Sequence, residues 1–133
     1  MIKKFIDRYN ENKNKLEERY RKERPGSYEN IVKWTIETIT NEDDYSGAPD
    51  PERIHSIDDG DYQGTLVFVI AEKGYQPHEY WYVRVWYGSC SGCDTLQALE
   101  GWEDEITDEE VKGYMTLSLH VLQGLKAMSD EVV

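Results

Sequence analysis

The chain has 133 residues, a hydrophobic share of 38% and a formal net charge of −12. That length favours one domain and can bury roughly two-thirds of the unfolded surface, so a core needs no metal or disulfide. No stretch approaches the ~20 apolar residues that span a bilayer, and Met1-Ile2-Lys3-Lys4-Phe5 lacks the apolar run of a signal peptide, so a cytoplasmic protein with no membrane role is predicted.

Residues 2–23 predict an amphipathic basic helix, because Ile2, Phe5, Ile6, Tyr9, Leu16 and Tyr20 recur near the helical period. Residues 1–24 hold nine basic residues against five acids, a charge of +4. Residues 25–133 hold six basic residues against twenty-two acids, a charge of −16. Pro25-Gly26 stops the helix, and Ser27 is placed to cap a second one through about Thr40. There Tyr28, Ile31, Val32, Thr35, Ile36 and Ile39 share a face and Trp34 falls off it. The β-branched run Ile36–Thr40 is also compatible with a strand.

Residues 41–52 read as a loop rich in Asp, Gly and Pro, and Ile54–Ile57 as a short strand. Asp58-Asp59-Gly60-Asp61 reads as a turn. Its acids invite a calcium reading, but they lack the alternating ligands and terminal glutamate of an EF-hand loop. Residues 64–72 are apolar on both faces, the pattern of a central strand. Residues 79–87 follow after a short turn and predict an antiparallel hairpin. In that second strand Trp81, Val83, Val85 and Tyr87 point one way, and Tyr80, Tyr82, Arg84 and Trp86 the other. The Tyr80 face is predicted to be the floor for the N-terminal helix, with an aromatic stacking platform as the alternative.

Gly88 to Gly92 reads as a tight turn, Asp94 to Trp102 as a short helix, and Thr107 with Glu110 as a capping box opening a final helix over about 107–128. Gly113 and Gly124 lie on one face of it, where close packing would offset their cost of about 1 kcal/mol each against alanine. Ten Tyr, four Trp and two Phe compensate for the low aliphatic share. The predicted class is α+β, a small antiparallel sheet over about 54–87 with helices packed on one face.

Two segments carry candidate chemistry. Gly88-Ser89-Cys90-Ser91-Gly92-Cys93-Asp94 sets Cys90 and Cys93 in a CxxC before a helix, where a helix dipole can lower a thiol pKa. A thioredoxin-like site also needs a βαβ unit and a later proline, and no proline follows Pro77. A zinc reading would recruit His55, His78 or His120 to Cys90 and Cys93, but none of these forms a second metal-spaced pair. The turn also has the G-x-C-x-G outline of a nucleophile elbow, a motif that belongs on a larger parallel sheet. A turn with two small buried thiols is the favoured reading, and no metal or other cofactor is expected. The second segment places Glu103, Asp104, Glu105, Asp108, Glu109 and Glu110 within eight positions. Acids in a first helical turn complement the dipole, and the same group makes an acidic face for a partner that ordinarily binds nucleic acid.

Asp61-Tyr62-Gln63-Gly64-Thr65 followed by Tyr87-Gly88-Ser89-Cys90-Ser91-Gly92-Cys93-Asp94-Thr95-Leu96-Gln97 resembles small uncharacterised acidic proteins of large tailed bacteriophages. The resemblance covers roughly residues 54–99. It implies a setting, the cytoplasm of a bacterial host, and no mechanism or site residue. Together these features predict a non-enzymatic binding or inhibitory protein that acts on a host factor, a protein with a basic surface, and that makes no direct contact with nucleic acid. The alternatives are a thiol-redox or metal-binding protein using Cys90 and Cys93, and a structural or assembly component.

Overall fold

The structure is a computed structural model and describes residues 2–58, 64–87, Leu96, Leu99 and 104–130. Among the described residues three long helices, α1 (Ile2–Lys22), α2 (Tyr28–Ile39) and α3 (Asp108–Gly124), lie against a four-stranded antiparallel sheet. Its strands run in chain order, β1 (Pro49–Asp58), β2 (Gly64–Glu72), β3 (Tyr80–Tyr87) and β4 (Lys126–Ala127). The α+β class is as predicted. Among the described residues no helix is long and apolar enough to cross a membrane.

α1 buries Phe5, Tyr9, Leu16 and Tyr20 along one stripe. Its opposite face is laced by the i,i+4 pairs Lys3–Asp7 and Glu17–Arg21. Arg19, Arg21 and Lys22 in its last turn suit the negative end of the dipole. Gly26 then takes φ 75°, the left-handed region that favours glycine, and turns the chain into α2. Ser27 caps α2 as predicted, its side chain accepting from the Asn30 N–H at 3.2 Å. The helical alternative holds for the β-branched run. The Thr35 and Thr38 hydroxyls return to the carbonyls of Ile31 and Trp34 at 2.7 and 2.8 Å, which satisfies them within the helix.

Trp34 corrects the sequence reading. It is only 4% exposed, because α1 covers a second side of α2. The Arg19 guanidinium lies 4.0 Å over its ring, and the Tyr20 ring is 5.3 Å away. Tyr20 is the centre of the helical layer. Its ring lies 5.2 Å from that of Tyr114 of α3, tilted by 37°, and its hydroxyl shares a 2.7 Å hydrogen bond with the buried Ser118 hydroxyl. Burial pushes the Tyr20 phenol far above its ordinary pKa.

The sheet presents Phe68, Ile70, Trp81 and Val83 to the helices. Phe5 of α1 meets Trp81 edge-on, centroids 6.0 Å apart. The helical floor is therefore the Trp81 face, and the expected floor of Tyr80, Tyr82 and Arg84 lies on the other side. A one-residue parity decides this: Trp81 and Val83 pair directly with the buried Ile70 and Phe68. β1 is longer than the predicted Ile54–Ile57. It begins at Pro49 and carries a register shift before Ile54. Pro49 and Pro51 read as loop, yet an edge strand tolerates proline, and β1 is an edge strand.

α3 starts at the predicted cap, the Thr107 hydroxyl accepting from the Glu110 N–H at 3.1 Å, but the capping box is not closed, because the Glu110 carboxylate is taken by Arg24 and Tyr114. It ends at Gly124, four residues before the predicted end at Met128. Leu125 turns extended, and Lys126–Ala127 pair with Tyr82 and Trp81 of β3. Two ladder pairs and a buried Ala127 replace one more helical turn. Both glycines of α3 do mark close packing. A Cβ at Gly113 would stand 2.3 Å from a Leu99 methyl, and one at Gly124 would stand 3.3 Å from a Val83 methyl.

At one end of the sheet the α2–β1 and β2–β3 connections are bound together. Glu72, buried at the end of β2, accepts from the Gly47 N–H at 2.7 Å and the His78 N–H at 2.8 Å, one on each oxygen. Lys73 donates its N–H to Ala48 O at 2.9 Å, and its ammonium to Asn41 O and Glu42 O at 2.9 and 2.7 Å. Arg53 donates to Gly74 O at 2.7 Å. Gly74, at φ 132°, comes so near that a Cβ would lie 2.8 Å from the Tyr45 carbonyl oxygen. Because that neighbour is backbone, Gly74→Ala combines strain with a clash and should lower stability by about 1–3 kcal/mol. Urea denaturation checks this, and an unchanged midpoint would show that the two loops do not need this approach.

Candidate functional site

The acidic segment divides in two. Asp104 and Glu105 stand exposed before α3, and Asp108 and Glu109 are exposed in its first turn. Glu110 is buried. Its carboxylate receives Arg24 Nε at 2.7 Å and Nη2 at 3.3 Å, and the Tyr114 hydroxyl at 2.5 Å. Asp108 pairs with Arg21, whose hydrogen bond holds the Asp108 carboxyl below the usual range and raises the guanidinium. Glu110 is therefore a core-edge anchor for the chain after α1 and no part of an exposed face. Among the described residues Asp104, Glu105 and Glu109 enter no ion pair. Cys90, Cys93 and Glu103 lie outside the described residues, as do Asp59, Gly60 and Asp61.

The three histidines sit exposed on different elements, His55 on β1, His78 in the β2–β3 connection and His120 on α3. Among the described residues no group of three metal-ligating side chains comes together.

A groove of about 620 Å³ runs between α1, α2 and the turn after α2, lined by Lys15, Arg19, Trp34, Glu37, Glu42 and Asp43. Arg19 closes its floor, stacked on Trp34 and paired with Glu37 at 2.5 Å. Two threonine hydroxyls at the groove are tied to backbone carbonyls, Thr38 to Trp34 O and Thr40 to Pro49 O at 2.7 Å. A smaller cavity of about 230 Å³ lies between α2, α3 and β3, lined mainly by Tyr28, Ile31, Val83, Val85, Leu117 and Val121, with His120 at its edge.

The arginines of the N-terminal segment are drawn into the body. Arg8 forks onto Asp44 at 2.7 and 3.0 Å and also reaches Ile39 O at 3.1 Å. Arg19, Arg21 and Arg24 take Glu37, Asp108 and Glu110. The charge asymmetry of the sequence thus becomes one set of contacts: a basic helix laid on an acidic body. Asp44 is held below its ordinary pKa. Burial pushes it up, but the Arg8 fork and the Asn41 N–H outweigh that. Sequence reasoning missed Asp44, Glu72 and the bound loops around them. The contacts that join separate segments, Arg8 to Asp44 and Gly47 to Glu72, span 36 and 25 residues, so no local pattern marks them.

Comparison with protein-family models, curated proteins and solved structures finds no match.

Proposed function

We propose that this is a non-enzymatic binding protein that engages a basic protein surface through its acidic exterior. The observation that carries the reading is the internal engagement of Arg8, Arg19, Arg21 and Arg24 by four body acids. It pairs the four arginines with acids of the same chain, two of them, Arg8 and Arg24, largely covered, and leaves Asp104, Glu105 and Glu109 facing solvent. A chain at −12 repels phosphate backbones, so a protein partner is favoured over nucleic acid. The likeness to small phage proteins makes a factor of the bacterial host the natural candidate, with inhibition as the outcome of binding.

The test is capture of a stoichiometric, salt-sensitive partner on the tagged protein. The variant Asp104→Lys/Glu105→Lys/Glu109→Lys alters exposed side chains only and should weaken that capture by about tenfold or more, chiefly in association rate. Wild-type affinity in this variant would remove the acidic ridge from the reading.

A further inference from the structure

Tyr45 and Tyr75 are the most exposed large hydrophobic residues described, at 91% and 96%, with Ile57 next at 57%. They belong to the two connections bound together at one end of the sheet, and Gly74 brings these into contact, since its missing Cβ would sit 2.8 Å from Tyr45 O. A loop holding a fully exposed aromatic is ordinarily free to move. This one is tied down at four of its residues. Arg8 grips Asp44, Asn41 N–H closes on the same carboxylate at 2.9 Å, Lys73 is folded onto Asn41 O and Glu42 O, and Glu72 holds Gly47. Tyrosine on a preorganised loop gives a partner a large rigid contact at little entropic cost.

The surroundings define the partner. Glu42 and Asp43 are exposed beside Tyr45, and among the described residues neither enters an ion pair. The nearby cations are turned to protein oxygens: Lys73 as above, Lys4 to Gly47 O at 3.5 Å, and Arg53 to Asp50 and Gly74 O. Aromatic faces next to unpaired carboxylates suit arginine, whose plane stacks on rings while its N–H fork meets a carboxylate. Rings this exposed enclose no small apolar ligand, and the two acids oppose an anion.

We infer that the end of the sheet carrying Tyr45 and Tyr75 is the anchoring surface for a basic protein partner, with an arginine of that partner set against these rings and paired with Glu42 or Asp43. This rests on the acidic-binding reading above and adds to it a place and a residue preference.

The experiment is calorimetric titration of the full chain with an arginine–glycine repeat peptide and a lysine–glycine repeat of equal length. Wild type should bind the arginine peptide more tightly. Tyr45→Ser/Tyr75→Ser should weaken the arginine peptide by about tenfold and erase the preference over lysine, at an unchanged melting temperature because both side chains are solvent-exposed. Asp104→Lys/Glu105→Lys/Glu109→Lys should weaken both peptides alike and keep the preference. If the tyrosine variant behaves as wild type while the ridge variant fails, the tyrosine surface is overturned and the acidic reading stands. If wild type binds neither peptide, the acidic reading falls and the inference with it.

Discussion

Replacing Arg24 with methionine should lower the unfolding free energy by about 3–5 kcal/mol, the range for leaving one half of a buried ion pair behind. Methionine keeps the apolar stem of a side chain that is only 25% exposed, so the loss of packing is small. The loss of donors is not small. The Glu110 side chain is 5% exposed, and it would keep the Tyr114 hydroxyl while losing a two-point guanidinium contact. Glu110→Gln should cost less, because Arg24 can turn partly to water while a neutral amide stays in the buried place. The double variant Arg24→Met/Glu110→Leu should recover much of the loss, since removing both charges removes the desolvation problem. A urea series on the two singles and the double gives the coupling energy. A loss below about 1 kcal/mol in Arg24→Met would mean that water solvates Glu110 well enough to replace its partner. The contact spans 86 residues, so its loss should also loosen α1 from the start of α3.

Local signals made much of the frame legible. The Ser27 and Thr107 caps, the Pro25-Gly26 stop and the apolar run of β2 each act within a few residues, and each appears where the sequence puts it. What stayed hidden depends on what arrives from elsewhere in the chain. Trp34 lies off the face of α2 that meets the sheet layer, and only the position of α1 explains its burial. Tyr80, Tyr82 and Arg84 alternate cleanly with Trp81 and Val83, and alternation alone does not say which set faces the helices. The last turn of α3 has good helical periodicity to Met128. It loses to an open stretch of β3 edge at Trp81 and Tyr82, which no window around residue 126 contains.

The candidate site divides along the same line. Six acids in eight positions form an unmistakable sequence feature, but their pattern cannot separate Glu110, gripped by Arg24, from Glu109, which faces water. The residues that decide it are in α1 and just after it. Tyr45 and Tyr75 were invisible as a pair for a similar reason. Each stands in a polar, glycine-containing connection, the place where binding residues concentrate, yet their adjacency exists only through the contact at Gly74. A glycine that reads merely as a turn residue is what lets one loop rest on the other.

Glu72 is where stability and the proposed surface meet, and acid should expose it. Burial pushes its carboxyl up, but the N–H groups of His78, Gly47 and Glu79 outweigh that and hold it below the ordinary value. In the unfolded chain a glutamate titrates near about pH 4.3. Its contribution is therefore complete above that value and is lost as pH falls through the lower folded one. Glu79, held down by Ser129, and Asp44 act in the same direction, so this end of the sheet should weaken first in acid while neutral pH leaves it intact. Glu72→Gln removes the charge and turns an NH2 group toward one of two N–H donors, because Gly47 and His78 take different oxygens. The expected cost at neutral pH is about 1–3 kcal/mol, with a shallower loss of stability below about pH 5 than wild type shows. Urea midpoints across that pH range test both, and an unchanged acid slope would assign the titration to other carboxylates. The variant also bears on binding. Glu72 is buried and touches no partner, so weaker binding of the arginine peptide by Glu72→Gln, with faster amide exchange at Gly47, would show that the exposed tyrosines act through the rigidity of the loops beneath them.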